Sequence, residues 1–169
     1  NAFNYLRSAA SHERNQREIA DDNRFNTAAN NNISNMLINY NDLEAMDKII
    51  KDTSTLVQMR GEQKGWDDET MMRAKINAVT DGLKVAIGDA ISKENYNSAD
   101  TLLRTYKNIM EPNVYSELTN SLAKLRIENA YYETAYNIVN KCIGADGYVD
   151  DEALNKMIER DFGPENDIS

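Results

Sequence analysis

The sequence predicts an all-α fold, in which antiparallel helical hairpins form a tetratricopeptide-like array behind a long N-terminal helix. Only 7 glycines and 2 prolines occur in 169 residues, so turn signals are too sparse for a sheet protein. Apolar residues recur at helical spacing in several segments. A short apolar pattern also recurs along the chain, as helical repeats require.

The N-terminal segment, residues 1–39, has no glycine or proline. It is predicted as one long helix, or as two helices joined near residues 30–32. Between residues 11 and 24 only Ile19 and Ala20 are apolar, so this stretch cannot bury a continuous stripe and is expected to project from the body. The chain begins with Asn-Ala and directly in a helix, so we expect a fragment of a longer protein.

The next predicted helix covers residues 67–92. Asp67 is its expected N-cap, because Trp66 and Met71 stand at the spacing of a hydrophobic staple. Its buried face is predicted from residues at helical spacing, which are Met72, Ile76, Val79, Leu83, Ala86, Ile87 and Ala90.

Two later helices are predicted from caps and stripes. Pro112 suits the first position of a helix that runs to about residue 128, with an apolar stripe of Val114, Leu118, Leu122 and Leu125. The last helix is predicted over residues 150–162, because Asp150 can cap it and Gly163-Pro164 can end it.

The recurring pattern has one large residue, a small or flexible residue three positions later, and an apolar doublet three further on. Its three copies begin at Leu43, Tyr96 and Tyr132. Each is predicted to open the second helix of a pair, which gives pairs over 25–64, 67–110 and 112–142. Amphipathic periodicity alone is the alternative explanation. The resulting organisation is one all-helical domain over 1–169, with a long helix (1–39), hairpin repeats (40–142) and a C-terminal helix and tail (143–169).

Composition argues against several function classes. With 19 basic and 28 acidic residues the net charge is −9, which disfavours nucleic acid and membrane surfaces as partners. One cysteine, Cys142, permits no intrachain disulfide and no second thiolate ligand. The one histidine, His12, has no adjacent nucleophile facing it, and no nucleotide-binding or hydrolase motif occurs. We therefore expect no catalytic residue, no cofactor and no metal site.

Residues 145–150 are expected to form a turn between helices. Although Gly147 follows an aspartate as in a calcium loop, an EF-hand alignment puts Cys142 and Gly144 at the first two ligand positions. The same alignment puts Ala153 at the position of the bidentate glutamate.

A protein interface is the remaining prediction. Tyr131, Tyr132 and Tyr136 crowd one helix, and tyrosine is enriched at interfaces. Core packing between repeats is the alternative for these tyrosines. The polar N-terminal stretch contributes further candidates, Arg14, Arg17 and Ile19. The expected partner is protein, either a second copy in a homo-oligomer or a different chain.

The segment 40–110 resembles internal helical regions of bacteriophage virion proteins of the tail or DNA-ejection machinery, which often share a chain with a lytic transglycosylase. The resemblance is carried by residues 41–46 (Asn-Asp-Leu-Glu-Ala-Met), Arg60, residues 65–69 (Gly-Trp-Asp-Asp-Glu) and residues 95–99 (Asn-Tyr-Asn-Ser-Ala). It implies a structural or assembly role in a virion or in the bacterial cytoplasm, and it carries over no enzymatic residue. The alternatives are a cellular tetratricopeptide-like adaptor that binds peptides and an accessory domain of a peptidoglycan-cleaving enzyme.

Overall fold

The computed structural model describes residues 2–163, which form six α-helices. These are α1 (Ala2–Asn39), α2 (Leu43–Lys64), α3 (Asp68–Ser92), α4 (Tyr96–Tyr106), α5 (Pro112–Lys141) and α6 (Asp151–Phe162), with a short 3₁₀ turn at Lys107–Ile109. Over the described residues the extended pairing is limited to one isolated bridge between Ile143 and Val149. The predicted all-α class is confirmed.

The chain forms two compact units, Asn1–Leu122 and Ala123–Ser169. The first unit contains α1 to α4 and the beginning of α5. The second contains the rest of α5 and α6.

The core of the first unit is built around α3, which contacts α1, α2 and α4. Five large side chains there are almost fully buried: Met36, Met46, Leu83, Ile87 and Leu102. Leu118 and Leu122 from the beginning of α5 belong to the same cluster. Burial of these apolar side chains is the main stabilising contribution, because the asparagine-rich helices have modest intrinsic propensity.

Side-chain caps fix the helix starts. The Asp42 carboxylate accepts the N–H of Ala45 at 3.0 Å, and the Asp67 carboxylate accepts the N–H of Thr70 at 2.7 Å. Asp150 caps α6 in the same way. The predicted starts at Asp67 and Asp150 are therefore confirmed, and the cap hydrogen bonds satisfy N–H groups that have no partner within the helix.

The predicted stripe of α3 is wrong at its first position. Met72 is 66% exposed, whereas Met71 is buried. Both Met71 and Trp66 lie against Gly61 of α2, where the absence of a side chain leaves space for them. The other members of the stripe, from Val79 to Ala90, are buried and Ile76 is half-buried.

The predicted third hairpin, 112–142, is also wrong. α5 continues without a break from Pro112 to Lys141, so Tyr132 lies within a helix and does not begin one. Residues 126–141 contain no glycine or proline, and each residue added to an existing helix gains a hydrogen bond at low entropic cost. Only the first two copies of the pattern, at Leu43 and Tyr96, begin helices.

The remaining boundaries agree with the predictions. α1 is one unbroken helix through residues 30–32. Residues 144–148 form the expected turn, in which the Gly144 N–H donates to the carbonyl of Tyr148 at 2.8 Å. α6 ends at Phe162 and Gly163 follows as its C-cap. Pro164 lies outside the described residues.

Candidate functional site

The first half of α1 is exposed along its whole length. Residues 2–21 are all exposed to solvent and span about 30 Å of helix. Large apolar side chains lie in this segment: Phe3 is 71% exposed, Tyr5 76%, Leu6 65% and Ile19 61%. The expected exposure of the polar stretch after residue 11 is confirmed up to residue 21, and the exposed segment also includes residues 2–10.

Ion pairs connect α1 to the end of α2 where this exposed segment ends. The Lys64 ammonium lies 2.5 Å from the Glu18 carboxylate and 3.6 Å from that of Asp22. The Arg60 guanidinium, which is only 7% exposed, pairs with Asp22. We call these four residues the anchor. It holds α1 by charge at a point where α1 has no apolar stripe.

The anchor also affects ionisation. A hydrogen bond from Lys64, followed by the positive charge of the same side chain, holds the pKa of Glu18 below its ordinary value. The lowered pKa shows that the negatively charged form of Glu18 is favoured in the folded chain.

One side of α1 continues from the exposed segment into the core with spacings of three and four residues, and we call it the bundle-side stripe. In the exposed segment it consists of Asn4, Ser8, Ser11 and Asn15. Beyond the anchor it becomes apolar and contains Phe25, Ala29, Ile33 and Met36. The same side of the helix is thus polar where it is exposed and apolar where it packs.

A second side of the exposed segment combines apolar and basic residues, and we call it the outer face. It consists of Phe3, Leu6, Ala10, Arg14 and Arg17, with Arg7 at its border with the bundle-side stripe, and helical spacing places all six within about a third of the helix circumference. The Arg17 guanidinium lies 2.5 Å from the Glu13 carboxylate, and both side chains are well exposed. Such an exposed pair contributes little to stability, so the arginines remain accessible to a partner.

The structure places two of the three predicted α1 residues on this outer face. Arg14 and Arg17 share it, whereas Ile19 lies on the opposite side of the helix. Arg7 and Leu6 were not among the residues predicted from the sequence. Helical spacing could have identified them, because Arg7 lies seven residues before Arg14 and Leu6 lies four residues before Ala10.

The predicted tyrosines lie on α5 in the second unit. Tyr131 is 60% exposed, Tyr132 76% and Tyr136 68%. Tyr132 and Tyr136 are four residues apart and so share a side of the helix, with Val139 three residues further along. All three tyrosines present aromatic surface to solvent, as an interface requires.

Side chains of α1, α2 and α3 line a groove of about 410 Å³. Phe25 and Trp66 contribute aromatic surface to it, and Asn30, Asn77 and Asp81 contribute polar groups. Small side chains, Ala29, Ala74 and Ala78, line the two sides and leave space between α1 and α3.

The chain's one histidine, His12, lies on the exposed segment of α1. The His12 ring contacts Gln16 at 3.0 Å on an exposed surface. Within residues 2–163 no three His, Cys, Asp or Glu side chains are placed to hold a metal ion. A search of the same residues for a helix long and apolar enough to cross a bilayer finds none.

Comparison with protein-family models finds no match for this chain, and neither the curated proteins nor the solved structures contain a match.

Proposed function

We propose that this chain is a non-catalytic structural module that acts through protein–protein contacts, as a scaffold segment of a phage-encoded virion protein. The observation that carries the proposal is the exposed segment of α1, residues 2–21, with its four large apolar side chains. Phe3 and Leu6 lie on the same side of the helix, and exposed apolar side chains grouped in this way are typical of a surface that a partner covers. The proposed location is the virion, or the bacterial cytoplasm before assembly.

The proposed arrangement of the first unit is an array of antiparallel helix pairs similar to tetratricopeptide repeats. Two contacts support it. The chain turns between α1 and α2 through a hydrogen bond from the Asp42 N–H to the Asn39 carbonyl at 2.8 Å, while the other end of α2 reaches Glu18 through Lys64. The Ser98 hydroxyl donates to Asn41 at 2.7 Å, which brings together the two helix starts that share the repeated pattern.

The experiment is the solution mass over a wide range of protein concentration, measured by size-exclusion chromatography with light scattering. We expect the mass of the wild-type chain to rise above the 19.2 kDa of one copy as concentration increases. A chain that remains at 19.2 kDa at the highest concentration contradicts the proposal that copies contact each other.

A triple variant tests the tyrosines within the same experiment. Replacing Tyr131, Tyr132 and Tyr136 with alanine removes three exposed aromatic side chains from α5, and we expect association to weaken by at least about tenfold, the loss typical of one interface aromatic. The matched control replaces three exposed polar residues of the same helix with alanine: Glu133, Asn137 and Asn140. Equal association of the two variants and the wild type would exclude the tyrosines from the interface.

The groove between α1 and α3 favours a second candidate function, a tetratricopeptide-like adaptor that binds a short apolar peptide. Its 410 Å³ volume and aromatic lining are within the range of ligand sites. Titration with a library of short peptides separates the two functions, because an adaptor shows saturable binding and a scaffold segment does not. Ala78→Phe, which fills the groove, should abolish such binding while the helical content measured by circular dichroism is unchanged.

A further inference from the structure

We infer that the outer face of α1 docks on the acidic surface of a second copy of this chain. The inference rests on the proposed function, since it identifies the partner that the exposed helix contacts. The partner is identified by charge complementarity between residues 2–17 and the rest of the molecule.

Charge is divided unevenly along the chain. Residues 2–17 contain Arg7, Arg14 and Arg17 but only one carboxylate, Glu13, and so carry a net charge of +2. Because the whole chain carries −9, the remaining residues carry −11. A second copy therefore presents an excess of carboxylates, which attract the arginines and steer the two molecules together.

The outer face also has exposed apolar side chains, which can pack against a partner. Leu6 is 65% exposed and Phe3 71% exposed, and both lie among the three arginines. Apolar and aromatic residues together with arginine are enriched at the centres of protein interfaces. By contrast, the bundle-side stripe of the same segment is made of Asn4, Ser8, Ser11 and Asn15, which offer no apolar surface for a neighbouring helix.

The anchor makes the exposed segment a continuous extension of α1. Arg60 and Lys64 hold α1 at Asp22 and Glu18, and the helix is unbroken on both sides of this point. A helix that is already formed loses less conformational entropy on docking than a disordered tail would. Contact of the outer face of one copy with the acidic surface of the next is head-to-tail and leads to a ring or an open chain of copies.

The test compares two triple variants of the full chain that change the net charge equally. The first, Arg7→Gln, Arg14→Gln and Arg17→Gln, removes three positive charges from the outer face. The matched control, Lys48→Gln, Lys51→Gln and Lys84→Gln, removes three positive charges from exposed lysines outside α1. Far-UV circular dichroism of both variants confirms that α1 is still helical.

The measurement is again the solution mass against concentration, at about 50 mM and about 500 mM salt. We expect the wild type and the control to associate at about 50 mM salt. Raising the salt to about 500 mM should weaken this association. The arginine variant should associate roughly tenfold more weakly than the control at low salt, as loss of three exposed ion pairs predicts.

Other outcomes overturn the inference. If the wild type associates and the arginine variant associates equally well, the inference is wrong and the proposed function is retained. If the wild type stays monomeric at every concentration, the inference is wrong, and so is the proposal that copies of this chain contact each other. Vesicles of anionic phospholipid and a DNA duplex are added in parallel to the monomeric chain. Binding to either that depends on the three arginines would replace the second copy with a lipid or nucleic acid partner.

Discussion

Two glycines of α3 provide a controlled test of how the first unit is packed. Glycine within a helix is less favourable than alanine by about 1 kcal/mol because it loses more backbone entropy. Gly88 has open space where a side chain would begin. Gly82 has the sulfur and terminal methyl group of Met36 at that position, and Met36 is fully buried.

The two substitutions should therefore have opposite effects. Gly88→Ala should stabilise the chain by about 1 kcal/mol, the full gain in helix propensity. Gly82→Ala makes the same gain but forces the buried Met36 side chain to move, and overpacking of this kind costs about 1–3 kcal/mol. The net expected effect is a destabilisation of about 1 kcal/mol, so the two variants should differ by about 2 kcal/mol.

The assay is urea unfolding followed by circular dichroism, in which a change of midpoint at constant slope reports the change in the free energy of unfolding. Adding Met36→Leu to Gly82→Ala shortens the side chain at low cost and should recover part of the lost stability. If Gly82→Ala proves as stabilising as Gly88→Ala, the Met36 side chain moves aside without cost and the expected overpacking at this contact is wrong.

Two ionisation predictions follow from the first unit. Burial, with a hydrogen bond to Asp47, raises the pKa of Tyr106 above its ordinary value of 10.0. The protonated Tyr106 side chain therefore makes its full contribution to the free energy of unfolding below about pH 10, and this contribution is lost as the pH rises beyond it. Urea midpoints from about pH 8 upward should fall less steeply for Tyr106→Phe than for the wild type. The Thr70 N–H lowers the pKa of Asp67 below 3.8, so the cap stabilises the fold above that pH and is lost as the pH falls through the lowered pKa. Acid unfolding of the wild type should therefore begin at a higher pH than it would if an uncharged side chain capped the helix equally well. At neutral pH, Asp67→Ala should have a lower melting temperature than Asp67→Asn.

Local features of the fold were predictable from the sequence because they depend on residues close together in the chain. The Asp67 carboxylate bonds to an N–H three residues later, and Asp150 does the same at α6. The N-terminal helix needed only an uninterrupted run without glycine or proline. In the candidate site, the exposure of Arg14 and Arg17 followed from the lack of apolar neighbours at helical spacing.

Other features depended on residues far apart in the chain. Met71 is buried in place of Met72 because Gly61, on another helix, leaves space for it. The pattern at Tyr132 matches those that begin α2 and α4, yet it lies inside α5, since no cap precedes it and no helix-breaking residue interrupts it.

By itself, the sequence determined the all-α class, the capped helix starts and the polar character of the exposed helix, because hydrogen bonds and periodicity act over a few residues. Only the tertiary structure decided where α1 is held. Arg60 and Lys64 meet Asp22 and Glu18 across two helices, and these ion pairs mark the boundary between the exposed segment of α1 and the part of α1 that packs. Pairing of charges so distant in the chain depends on how the helices pack, which local rules do not specify.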